Sequence, residues 1–106
     1  MPNIAWSSNA AADFEDIVGW ILDDHSARHA ESFVDSIDTE IRQLEGQPRS
    51  GRVIPELERQ NITKYREVVV SPWRVFYSVE AERILILAVI DGRRNIEDIL
   101  LRRNLR

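Results

Sequence analysis

Cysteine is missing from these 106 residues. Its absence excludes disulfides and thiolate metal sites and permits a reducing compartment. No apolar run approaches the roughly 20 residues that span a bilayer. The first residues, Met-Pro-Asn-Ile-Ala-Trp, carry neither a basic n-region nor an apolar h-region. No secretion signal or membrane partner is therefore expected, and the expected location is the cytoplasm. No phosphate-cradling glycine loop, metal motif or nucleophile elbow is present, so no cofactor or metal is expected. There is no histidine after residue 29, which limits acid–base chemistry in the rest of the chain.

What is present fits one globular domain over residues 1–106, with 43% hydrophobic and 30% charged residues. A chain of this length buries roughly two-thirds of its unfolded surface. The net charge of −4 conceals a division. Residues 1–48 hold ten acids against Arg28 and Arg42, net −8, while residues 49–106 hold eight acids against twelve bases, net +4. Such a division bears on partners, and it points the basic half towards something acidic.

Ile4 and Trp6 alternate with Asn3 and Ala5, the pattern of a brief strand. Ser7 or Ser8 can cap the helix that follows. That helix carries Ala10, Phe14, Ile17, Val18, Ile21 and Leu22 at helical spacing. Trp20 falls beside the stripe, at a core edge or an interface. Asp23 to Ser26 breaks the pattern, and Ala30, Phe33, Ile37, Ile41 and Leu44 define a second helix ended by Gly46 and Pro48. The short connection predicts an antiparallel helical hairpin. His25 and His29 have zinc-like i,i+4 spacing, but the helix break separates them and no third ligand is marked.

Residues 46–64 lack periodicity and are basic. Val53, Ile54 and Leu57 can pin them to the core, and Pro55-Glu56-Leu57 can begin a turn of helix. Three strand-like runs follow: Val68–Val70, Trp73–Val79 and Ile84–Ile90. The last is apolar on both faces, as in an interior strand covered on both sides. Short connections predict an antiparallel meander, joined antiparallel by the first strand. The expected fold is α+β, β-α-α-β-β-β-α, with the hairpin on one sheet face. A final short helix, capped by Asn95, reads as an appendage.

Register at Ser71-Pro72 decides where the arginines point. A three-residue connection puts Arg66 and Arg74 on one face, and a two-residue connection puts them on opposite faces. The three-residue version is favoured, because proline excludes a type I′ turn. It sends Trp73, Val75, Tyr77 and Val79 towards the helices and lines the other face with Arg66, Val68, Arg74 and Phe76.

The one enzyme-like reading is metal-free RNA cleavage, which needs a base, an acid and cations at the phosphate. Arg66, Arg74, Arg93 and Arg94 supply cations. Only Glu67, Tyr65, Tyr77 and Asp91 remain as acid or base, and Asp91 beside Arg93 and Arg94 should stay ionised. No catalytic residue is therefore assigned.

The ordered set P-x-x-G-R-x-x-P-E-L at Pro48–Leu57, Y-R-E-V-V-V-S-P-W-R-V-F-Y and A-V-I-D-G-R-R-N-I-E-D-I-L resembles the RelE/ParE superfamily of toxin–antitoxin toxins. The helix segment A-x-x-D-F-E-D-I-V-G-W-I is similar too. RelE-like members cut messenger RNA on the ribosome, and ParE-like members act on DNA gyrase. Arg74 and Arg94 match basic positions that the family keeps. Val68 stands at a RelE lysine position and Leu100 at its late tyrosine, so the resemblance leans to ParE. Departures from ParE are Asp91 for the frequent histidine and Trp73 for the strand tyrosine.

The resemblance implies a RelE-like fold, gyrase as target and a ParD-like antitoxin that alone meets operator DNA. Arg66, Arg74, Asp91, Arg93 and Arg94 are the target-facing candidates. Trp20, Arg52, Trp73 and Phe76 are the antitoxin-facing ones. A ribosome-dependent endoribonuclease and a non-toxic antitoxin-binding homologue are the alternatives.

Overall fold

The computed structural model describes residues 3–81 and 83–106. The elements in order are β1 (Asn3–Trp6), α1 (Ser8–Asp24), α2 (Ala27–Gly46), β2 (Arg52–Val53), α3 (Pro55–Glu58), β3 (Tyr65–Val70), β4 (Trp73–Glu80), β5 (Arg83–Asp91) and α4 (Ile96–Arg102). One sheet runs β1-β5-β4-β3-β2. The helical hairpin and the meander follow the sequence pattern. Among the described residues no helix is long and apolar enough to cross a membrane.

The hairpin forms for local reasons. Ser7 accepts from the Ala10 amide and Ser26 from the His29 amide, so both helices begin on a hydroxyl cap. Their facing stripes meet the sheet through Ile21, Phe33, Ile37, Ile41 and Leu44, which pack with Val75, Tyr77, Ile84 and Ile86. Leu22 lies off this contact and is half exposed, because α1 needs only a narrow stripe against α2 and β5.

Three expectations are corrected. First, β1 pairs with β5 in parallel, Asn3 opposite Arg83 through Trp6 opposite Ile86, so the sheet is mixed. Parallel pairing follows because β2, antiparallel to β3, adds one more chain reversal after the back-and-forth of α1 and α2, so β1, β3 and β5 all point the same way. The β5 edge is completed beyond β1 by side chains: the Ser7 hydroxyl donates to the Leu87 carbonyl at 3.3 Å, and the Asp13 carboxylate accepts from the Val89 amide at 3.0 Å. These bonds satisfy backbone groups that a longer β1 would have paired.

Second, α4 is no appendage. Ile96, Ile99 and Leu100 join Ile54, Leu57, Phe76, Ala88 and Ile90 in a second core on the other sheet face. Strand β5 serves both cores because Leu87 is inserted opposite the Phe76/Tyr77 step, a bulge that shifts the alternation by one. Ile84, Ile86 and Val89 face the hairpin, and Leu87, Ala88 and Ile90 face α3 and α4.

Third, the β3–β4 connection has two residues. Val70 pairs with Trp73, Val69 with Arg74 and Arg66 with Tyr77, and the Ser71-Pro72 bond is cis. Excluding a type I′ turn did not exclude every two-residue connection. Arg66 and Val68 therefore share the hairpin face with Trp73, Val75 and Tyr77. Arg74 lies on the opposite face with Glu67 and Phe76.

Residues 46–64 are more ordered than a linker. The Tyr77 hydroxyl donates to the Pro48 carbonyl at 2.8 Å and accepts from the Gly51 amide at 3.0 Å. A Cβ at Gly51 would lie 2.5 Å from both the Glu67 carbonyl and that hydroxyl, so only glycine lets the chain pass this close. Replacing Tyr77 by Phe leaves the buried Gly51 amide without a partner. We expect a loss of about 1–3 kcal/mol in chemical denaturation with an unchanged m-value.

Candidate functional site

Strand β3 carries a carboxylate at an inward position, and the sheet is built around its neutralisation. Glu67 is 1% exposed. It accepts from Arg74 Nε at 2.5 Å, Arg74 Nη2 at 2.8 Å and Arg52 Nε at 2.8 Å. The outer edge of the Arg74 guanidinium then meets Glu56 of α3 through two bonds of 2.8 Å. Two arginines and two glutamates thus form a continuous chain, Arg52–Glu67–Arg74–Glu56, with the Arg74 guanidinium also 5.3 Å from the Phe76 ring centre. No buried side-chain polar atom is left without a partner among the described residues.

The electrostatics follow from these contacts. The hydrogen bonds from Arg74 hold the Glu56 carboxyl below the usual range. Glu56 and Glu67 in turn push the Arg74 guanidinium further up, so it stays charged at every accessible pH. Arg74 is 8% exposed and both its edges are engaged by carboxylates, so it offers no free edge for two-point binding of a phosphate. Phe76 is fully buried in the second core, which removes it from any docking surface.

The other predicted residues lie apart. Arg66 donates to the carbonyls of Gly51 at 2.8 Å and Arg49 at 3.3 Å, beside β2. Asp91, Arg93 and Arg94 sit at the opposite end of the sheet, in the turn between β5 and α4. Arg66 is opposite Tyr77, four residues along β4 from the Trp73–Asp91 pair, about 13 Å at a strand rise of about 3.3 Å per residue. The four arginines do not converge.

In the β5–α4 turn Arg93 holds Asp91 with two side-chain bonds of 2.9 and 2.6 Å and a backbone amide bond of 2.9 Å. The bond from Arg93, ahead of the charge of Arg94, holds the Asp91 carboxyl below its usual range. It stays ionised, as its neighbours implied. Tyr77 is buried, which pushes its hydroxyl up, and that hydroxyl is already engaged at both Gly51 and Pro48. Tyr65 reaches only the Arg106 carbonyl, at 3.4 Å.

The antitoxin-facing candidates divide as well. Trp20 is 47% exposed and its ring lies 6.4 Å from that of half-buried Trp73 and 5.3 Å from that of His25. Trp73 leans edge-on against Phe33. This aromatic patch covers the junction of the hairpin with the β4 terminus. Arg52 is exposed but tied to Glu67. His25 and His29 are both exposed, and no group of three His, Cys, Asp or Glu residues suited to a metal ion occurs among the described residues.

A family model described as the ParE toxin of the type II toxin–antitoxin system, parDE, matches residues 4–96. The chain belongs to the ParE toxin family. The ParE-family chain is 26% identical over 86 residues to Toxin ParE3 of Caulobacter vibrioides, covering 81% of this chain and 82% of that one. Its fold is similar to a chain of the chromosomal ParDE TA system from P. aeruginosa, with a TM-score of 0.70, 20% identity and coverage of 86% and 96% of the two chains. It is also similar to the YoeB/ParE toxin from Agrobacterium tumefaciens, with a TM-score of 0.55, 17% identity and coverage of 82% and 94%. These likenesses agree with the α+β fold and the ParE-leaning resemblance expected from sequence.

Sequence reasoning missed Glu56, Glu67 as a structural anion, and the Asp13–Arg103 pair, which closes with two bonds of 2.7 Å between α1 and α4. The available signal was an acid at a strand position among valines, with an arginine on the neighbouring strand. Removing the Glu67 carboxylate leaves Arg74 half-paired in the interior, and Glu67→Ala should cost about 3–5 kcal/mol. The Glu56 carboxyl adds a pH dependence. Its folded value lies below the ordinary 4.5, so the unfolded chain takes up the proton first. The stability contributed by Glu56 is complete above the unfolded value and is lost as pH falls through the folded one. Acid titration of Glu56→Gln should show a shallower fall in melting temperature than wild type.

Proposed function

We propose that this ParE-family chain is the toxin of a type II toxin–antitoxin pair that arrests growth by poisoning DNA gyrase. A ParD-like antitoxin neutralises it and carries the operator-DNA contact. The observation that carries this reading is the engagement of three of the four acid–base candidates inside the molecule, the fourth, Tyr65, lying opposite Ser78, five residues along β4 from the Trp73–Asp91 pair. Glu67 and Arg74 form the buried network, Tyr77 anchors the β2 approach, and Asp91 is locked to Arg93. Metal-free RNA cleavage needs at least one such group free at a bound phosphate. A protein-binding inhibitor needs none.

The surfaces that remain suit binding. The β5–α4 turn presents Asp91, Arg93 and Arg94 together, and Arg66 forms a separate basic point; these face the target. The Trp20–Trp73 patch faces the antitoxin, because a half-exposed indole over a rigid core is a strong anchor type, and Arg52, on the other sheet face beside Glu67, is a separate antitoxin contact.

Purified protein should inhibit supercoiling by gyrase and accumulate cleaved DNA, while messenger RNA in a translating extract stays intact. Absence of any effect on gyrase at high excess, or cleaved messenger, would overturn the reading. Normal growth on expression without antitoxin would favour a non-toxic homologue. Trp20→Ala should weaken antitoxin binding by about 2 kcal/mol or more in calorimetry if the indole is a hot spot, without loss of thermal stability.

A further inference from the structure

Along one flank of α4 the N–H donors outnumber the acceptors. Arg94, Arg102 and Arg103 line a cleft of about 90 Å3 together with Ile99. Arg103 turns both terminal nitrogens to Asp13. Arg102 gives one nitrogen to Asp98. Among the described residues no carboxylate pairs with the Arg94 guanidinium, although Arg93 beside it is neutralised by Asp91. A guanidinium carries five N–H donors in a planar fork suited to phosphate oxygens. The cleft therefore holds one wholly unpaired fork, a second that is mostly unpaired, and a third fixed in place by Asp13.

The geometry favours a polyanion over a small enclosed anion. Arg94 and Arg102 are exposed, so the donors line one side and leave the other to solvent. The rest of the molecule sets the orientation. Residues 1–48 carry a net −8, and a field of that sign on the hairpin turns the arginine flank towards an approaching polyanion.

We propose that this cleft is a phosphodiester site, in which Arg94, Arg102 and Arg103 hold a backbone phosphate of duplex DNA without reading its sequence. Contacts of this type position a protein on DNA and carry no base information. The site does not depend on gyrase being the target.

The test is fluorescence anisotropy with a short labelled duplex of arbitrary sequence, over a salt series. The expected result is binding whose log affinity falls linearly with log salt, by about 0.9 for each phosphate contacted. Arg94→Gln should weaken binding and reduce that slope by about one. Arg83→Gln, which removes an exposed arginine paired with Glu80 outside the cleft, should leave both unchanged. No binding by wild type at low salt would overturn the proposal. So would equal losses in the two variants, which would mark diffuse attraction only. A third arm titrates inorganic phosphate while following the arginine Nε–H resonances; saturation by phosphate with no duplex binding would assign a free-anion site instead and overturn the DNA reading. Melting curves confirm that each variant is folded, and gyrase poisoning is assayed separately, so the two readings fail independently.

Discussion

A carboxylate 1% exposed in the middle of a strand costs several kcal/mol in lost hydration unless cations replace the water. Glu67 is such a group, and much of the second sheet face is arranged to supply the cations. Arg74 comes from the next strand and fixes the β3–β4 register, because a slip of one residue would turn its guanidinium to the hairpin side. Arg52 comes from β2 and holds that two-residue strand against β3. Glu56 comes from α3 and completes Arg74, which brings Ile54 and Leu57 onto Phe76. The same network therefore joins β2, α3, β3 and β4, which local propensity alone leaves loosely connected.

The two sheet faces are held by different physics. On the hairpin face the work is done by apolar stripes, and its charges are solvated. On the α3–α4 face a smaller apolar cluster lies beside a neutral four-charge network. The bulge at Leu87 lets one strand serve both. The Asp13–Arg103 pair crosses from the hairpin to α4 past the β5 edge, and the same carboxylate takes the Val89 amide. One side chain thus closes a sheet edge and ties the last helix to the first.

Periodicity and residue type made the helices, the caps at Ser7 or Ser8 and at Asn95, and the interior nature of β5 legible, because each depends on residues near in sequence; Ser26 reads as part of a helix break and is also a cap. The resemblance carried the family, because its motifs keep their order along most of the chain. What stayed hidden depends on partners distant in sequence. The parallel seating of β1 is decided by the two-residue β2, whose extra chain reversal is visible only in its pairing with β3. The register at Ser71-Pro72 is decided by where Glu67 finds its cations, and the turn residues alone excluded only one turn type. The second core needed Ile54 and Ile96 to meet across Phe76, and no local pattern joins them. Of the site, Arg93 with Asp91 was readable from two-residue spacing. Arg74 was read as a surface cation because its two glutamates lie seven and eighteen residues away.

That misreading shows how a basic sheet can differ in function from its sequence pattern. An arginine can act on an external phosphate only if its donors are unsatisfied in the free protein. Arg74 has both edges bonded, so an incoming phosphate would have to displace two carboxylates and leave Glu67 buried without its main partner. Among the described residues Arg94 has no such partner, and it is exposed. The cationic pattern along β3, β4 and the β5–α4 turn is thus separated by burial into a structural half and an available half. The available half lies at the sheet end and on α4, where the one acid–base candidate nearby, Asp91, is bonded to Arg93. A set of cations divided in that way can hold negative charge with its available half while its buried half holds the sheet together.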